Sequence, residues 1–142
     1  MLELESKWLK DKFVLLNICS DSIILNFGSQ DERVYKYQPY LYNNVISEIN
    51  NRKARILNLD IKHGSGIDIV GDITDEKTIM VLKEKMITHV LCTNVLEHVE
   101  NITTVCINLE RVINKNGFII VTVPYRFPKH YDPIDNGFRP NI

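Results

Sequence analysis

Residues 88–93 read Thr-His-Val-Leu-Cys-Thr and pass without a break into Asn94-Val95-Leu96-Glu97-His98-Val99-Glu100. A short, continuous, β-branched apolar run with no period-two alternation is the pattern of a strand covered on both faces. The burst of polar residues that follows marks the point where such a strand leaves the core. Four other stretches read the same way: 22–27 (SIILNF), 55–61 (RILNLDI), 66–70 (GIDIV) and 118–123 (FIIVTV).

Between most of these runs lie longer amphipathic stretches. Residues 2–18 place Leu2, Trp8, Leu9, Phe13 and Leu16 at helical intervals among charged side chains, and residues 39–52 carry Leu41, Val45, Ile46 and Ile49 on one stripe. A helix over 75–86 begins at a Thr-Asp-Glu-Lys start signal. Another over 102–114 stops at Lys115-Asn116-Gly117. Buried strands alternating with helices predict an α/β fold: a Rossmann-like, doubly wound, mainly parallel sheet of about five strands with helices on both faces. The ligand crevice of such a sheet lies at the carboxyl ends of the strands, near the switch in strand order.

With 142 residues the chain suits one domain. Residues 1–20 read as an N-terminal helix, 22–124 as the Rossmann-like core and 125–142 as a C-terminal lid or tail. A formal net charge of −1 and 25% charged residues give no electrostatic footprint for nucleic acid or an anionic membrane. The cluster Arg52-Lys53-Ala54-Arg55 precedes the second strand, opposite the crevice, and reads as a solvated face. No apolar stretch approaches a membrane span, and the N-terminus lacks the basic-then-apolar order of a signal peptide. Three widely spaced cysteines, Cys19, Cys92 and Cys106, offer neither a disulfide framework nor a zinc site, so no metal is expected and the cytoplasm is the default location. Cys92, on a buried strand, reads as a small hydrophobe, and Trp8 and Phe13 as helix packing.

The strand ends are therefore the residues to inspect. After the first strand comes Gly28-Ser29-Gln30-Asp31-Glu32. It lacks the further glycines of a dinucleotide fingerprint, and its two acids would repel phosphates, which argues against nicotinamide cofactors and nucleoside triphosphates. Gly28 alone could simply permit a turn. Asp60, at the end of the second strand, could accept from both hydroxyls of a ribose or could cap the following turn. Asp72, after the third, could sit near an adenine amino group, or Asp72 or Thr74 could cap the next helix. His98 could be catalytic or a packing histidine. The tail collects Tyr125, His130, Asp132, Asp135 and Arg139 among prolines and aromatics, as an ordered lid or a loose end.

Taken together these segments resemble the class I S-adenosylmethionine-dependent methyltransferases. The resemblance is carried by ILNFGSQ (24–30), LNLDI (57–61), DIVGDITD (68–75), LCTNVLEHVEN (91–101), LERVINKNGFIIVTVP (109–124) and HYDPIDNGFRP (130–140). It implies that Gly28 and Ser29 lie beside the methionine moiety of S-adenosyl-L-methionine, Asp60 and Ile61 at the ribose, Asp72 and Ile73 near the adenine, and Asn94, Leu96 and Glu97 along the cofactor's edge. The sequence departs from the family where Gly28-Ser29-Gln30 replaces Gly-x-Gly. A long connection across residues 35–42 separates Gly28 from Asp60. The family's C-terminal antiparallel hairpin is missing.

Methyl transfer needs proximity, alignment and exclusion of water more than it needs charged machinery. The expected activity is transfer to a small-molecule or sugar-like acceptor held by Tyr125, Asp132, Asp135 and Arg139. His130, then His98, would be the base where one is needed, oriented by Asp132 or Asp135. Asp31 or Glu32 could favour the cofactor's ammonium group. The alternative is a catalytically inactive methyltransferase-like binding or dimerisation module. Without the hairpin, residues 118–123 form an apolar edge, which the tail or a second subunit of a homodimer is expected to cover.

Overall fold

The chain, whose computed structural model describes residues 1–131 and 134–140, opens with α1 (Glu3–Leu15) and β1 (Ile23–Phe27). A nearly continuous helical run follows: α2 (Val34–Tyr37), α3 (Pro39–Leu41), a π-helical turn (Tyr42–Ile46) and α4 (Ser47–Asn51). Then come β2 (Arg55–Asp60), β3 (Ile69–Val70), α5 (Glu76–Lys83), β4 (Ile87–Thr93), a 3₁₀ turn (Leu96–His98), α6 (Ile102–Val112) and β5 (Ile113–Thr122). The strands form one all-parallel sheet in the order β3-β2-β1-β4-β5, the expected Rossmann-like α/β architecture.

The central strands β1 and β4 are covered from both sides because their apolar side chains supply both faces. Leu25, Leu59, Ile79, Leu82 and Leu109 join one core, beneath α5 and α6. Leu9, Phe13, Ile24, Ile49 and Leu91 join the other, beneath α1 and α4. Burying each such side chain contributes about 1.5–3 kcal/mol relative to leaving it in water. Local chemistry sets the helix starts. Asp75 caps α5 by accepting from the Lys77 amide at 3.1 Å, and Asn101 caps α6 by accepting from Thr104 at 3.0 Å. Neither Asp72 nor Thr74 is the cap of α5.

Several boundaries differ from the sequence reading, each for a local reason. The third strand is Ile69–Val70 alone, because Gly66 turns at φ +77° and its carbonyl is taken by the Asn58 side-chain amide. The first helix ends at Leu15, with Asn17 in a left-handed turn. The sixth helix stops at Val112, and the segment expected to end it is a bulge within β5: the register jumps from Ile87↔Ile113 to His89↔Phe118 around Asn116 at φ 71°. Phe13 is fully buried, but Trp8 is exposed beneath the Lys12 ammonium at 5.3 Å, so the two do not pack as one stripe. Among the described residues no helix is long and apolar enough to cross a membrane.

β5 is the sheet edge. The described part of the tail adds no strand to it, contrary to that half of the expectation. It turns instead toward the end of β4, where the Asn136 amide donates to the Glu97 carbonyl at 2.8 Å and its side chain donates to Leu96 and Val99.

Candidate ligand site at the switch in strand order

Strand order reverses between β1 and β4, so their carboxyl ends diverge and open a crevice. The segment after β1 is shaped by one glycine. Gly28 turns at φ +72°, its amide donates to the Leu59 carbonyl at 2.9 Å, and a Cβ there would come within 2.6 Å of the Val95 side chain. Asp60, at the tip of β2, accepts from the Gln30 amide at 2.9 Å with one oxygen and from the Lys62 amide at 2.8 Å with the other. The acid thus locks the glycine turn to the second strand. Two of its roughly four acceptor positions are used.

Opposite, the rim of β4 is held by a residue from the far end of the chain. Asn94 sits at φ 54°, and its side-chain amide donates to Glu5 of α1 at 2.7 Å; the same carboxylate oxygen takes the Thr122 hydroxyl. Between the two rims lies a cavity of about 80 Å³, several times the ~10–15 Å³ that one water needs. Ser29, Gln30, Thr93 and Asn94 line it toward the rim, and Leu9, Leu41, Val45, Ile46 and Leu91 line it within. Two of its atoms, Ser29 Oγ and Gln38 Oε1, are buried without a hydrogen-bond partner. A buried polar group left so costs about 1–3 kcal/mol.

The anticipated residues take different places. Gly28, Ser29 and Asn94 line this cavity, and Asp60 braces it through Gln30. Ile61 is exposed on the loop beyond β2. Asp72 is exposed and holds the Thr74 amide and hydroxyl at 2.7 and 2.8 Å. Ile73 and Leu96 put their side chains into the core, leaving only backbone for any ligand; the Ile73 carbonyl is itself taken by Asn108. Asp31 and Glu32 turn away to close the β1 and β2 loops together. Ser65 donates its amide to Asp31 and its hydroxyl to Glu32, both at 3.0 Å, while the Arg33 guanidinium holds the Asp31 carboxyl down to about 2.

The remaining candidates gather in a second cluster where the tail meets the 3₁₀ turn. His98 Nδ1 donates to the Ile134 carbonyl at 2.6 Å, and the His98 and His130 rings meet edge to face at 4.8 Å. Glu97 is buried, with one carboxylate oxygen unpartnered and the other 3.9 Å from His98 Nε2. Asp135 accepts from the His130 amide at 2.9 Å and from Arg139 at 2.7 Å, and that guanidinium holds its carboxyl well below the usual carboxylate range. Tyr125 stands apart, exposed against Arg126. Asp132 lies outside the described residues.

Glu5, Tyr35 and Gln38 escaped the sequence reading. Glu5 is one of the charged side chains between the apolar positions of the first helix, and Tyr35 and Gln38 fall in the long connection across residues 35–42. Only packing brings them to the crevice. No protein-family model matches this chain, and no curated protein matches it.

Proposed function

We propose that this chain is a class I methyltransferase domain that binds S-adenosyl-L-methionine at the β1–β4 crevice and methylates a small-molecule or sugar-like acceptor. The observation that carries this reading is the unpartnered Ser29 Oγ beside the glycine turn, in a cavity lying at the switch in strand order. The residues present fit the cofactor's polar amino-acid end at Ser29 and Asn94. They also leave spare acceptor capacity on Asp60 for a ribose, with Asp72 beyond it for the adenine end. When bound, the cofactor supplies an electrophilic methyl group.

The chain's own contribution is position and exclusion of water. Gly28 and Asp60 set one wall, and Glu5 sets the Asn94 wall. His130 lies in the second cluster, against His98 and outside the cavity lining, so its Nε2 would take a proton only from an acceptor group that reaches the tail. The ring's Nδ1 faces the Pro128 carbonyl at 3.3 Å, and Asp135 stands 3.7 Å from that nitrogen. The three cysteines are free thiols, which fits a reducing, cytoplasmic setting. Calorimetric titration with S-adenosylhomocysteine tests the reading: micromolar binding that is lost in Asp60→Ala supports it, and no heat at millimolar ligand sinks it.

A second reading, an inactive dimerisation module, draws on other observations. Val95 fills the space above Gly28, and β5 exposes Phe118, Ile119 and Val121 along an unpaired edge. Light scattering that finds a dimer in the wild type and a monomer in Ile119→Lys, together with no nucleoside binding, would favour it.

A further inference from the structure

We propose that the inner part of the β1–β4 cavity binds the apolar body of an uncharged acceptor, whose polar group donates a hydrogen bond to Gln38 Oε1. This deepens the methyltransferase reading and rests on it for the word acceptor; the binding site itself does not.

The inner wall is built from Leu9 of α1, Leu91 of β4, Leu41, and Val45 and Ile46 of the π-helical turn. Leu9 is fully buried and Leu91 nearly so. No lining side chain carries a charge at neutral pH. Tyr35, the titratable one among them, has its phenol pushed up by burial and stays neutral. The chain's amino terminus, Met1, also lines the cavity. A cation entering would lose its water and meet that amino group in place of a counter-charge, and an anion would present an acceptor where Gln38 Oε1 needs a donor. An apolar body meets no such cost. Gln38 Oε1 then supplies the specificity: it is buried, unpartnered and aimed at no group of the protein. A ligand N–H or O–H would satisfy it, whereas an isostere without a donor would leave it orphaned.

The wall is also preformed. The Asn44 amide donates to Ser6 Oγ at 2.9 Å, fastening α1 onto the π-helical turn, and the Tyr40 hydroxyl of α3 donates to the carbonyl of Met1, just before α1, at 2.8 Å. Turns of this wider helical form recur at binding sites. The cost to a charged group applies to this inner, apolar part. The proposed cofactor's charged reacting end belongs at the polar rim by Ser29 and Asn94, and an acceptor seated within lies next to it, as direct transfer requires.

Methyl-detected NMR titration of the full chain tests this with three probes that share one branched apolar body: isobutyramide, isobutyrate and isobutylammonium. The expected result is saturable shifts of the Leu41, Val45 and Ile46 methyls with isobutyramide, at least about tenfold weaker with either ion. Gln38→Leu weakens the amide, and Gln38→Glu moves the preference to isobutylammonium. Equal binding of an ion and the amide by the wild type, or no saturable shift with any probe, overturns the proposal. Shifts with isobutyramide alongside no binding of S-adenosylhomocysteine would leave this site standing and remove the methyltransferase reading.

Discussion

The carboxylate of Glu5 accepts from the side-chain amide of Asn94 at 2.7 Å, tying the first turn of α1 to the rim of β4 across nearly the whole sequence. That single tie decides the shape of the crevice. It holds Asn94 in a left-handed conformation that asparagine tolerates better than most residues, and it closes α1 over the cavity.

Replacing Glu5 by Ala is expected to cost about 1–3 kcal/mol, the range for stranding a part-buried polar partner. The Asn94 side-chain amide resonances should move with it. Urea denaturation and amide NMR check this, and unchanged values for both would show that α1 is held by Leu9 and Phe13 alone.

Gly28 is constrained twice, by its φ of +72° and by the Val95 methyl that a Cβ would meet at 2.6 Å. Gly28→Ala should therefore destabilise by about 1–2 kcal/mol for the left-handed backbone alone, with the collision in addition. In a double-mutant cycle Val95→Ala should recover the second part and not the first. A coupling energy of zero would mean that Val95 already moves aside.

The tail's anchor has a pH signature. Because Arg139 lowers the folded-state pKa of Asp135, the anchoring contribution is complete above the ordinary carboxylate value. It is lost as pH falls below that value and through the lowered one. Resonances of His130 and Asn136 should report a docked tail at neutral pH and an undocked one in strong acid. Asp135→Asn should undock it at neutral pH. A tail indifferent to both changes would place its anchor in Asn136 instead.

Cys92 tests burial directly. Desolvation pushes its thiol up to about 12, whereas Cys19 and Cys106 are exposed. At mildly alkaline pH a thiol reagent should label Cys19 and Cys106 promptly and reach Cys92 only on unfolding. Stability from the protonated Cys92 is full below the thiol's ordinary pKa and declines as pH rises from there toward 12. Prompt labelling of Cys92 in the native protein would contradict the packing of β4.

The order of elements was legible because unbroken apolar runs leave a chain little choice. Residues 87–93 are buried almost throughout, and the Thr-Asp-Glu-Lys stretch marks the start of α5, with Asp75 as its cap in place of Asp72 or Thr74. Strand ends near glycine were less legible. Gly66 turns through positive φ where the Asn58 side chain takes its carbonyl, and Asn116 does so in a bulge that appears only when β5 pairs with β4. Of the candidate site, Gly28, Ser29, Asp60 and Asn94 could be found because strand ends are positions that a pattern predicts. Ile73 and Leu96 could not be assigned a side-chain direction until the core was built.

By itself, then, the sequence determined a mainly parallel sheet wrapped by helices, and where its carboxyl rim would fall, since hydrophobic periodicity is a local property. Only the tertiary structure decided that Glu5 reaches Asn94, that Gln38 and Ser29 face one small apolar-walled cavity without partners, and that the described part of the tail docks on the 3₁₀ turn and adds no strand to β5. Those are contacts between residues far apart in the chain. They depend on how the layers stack, which no short window of residues encodes.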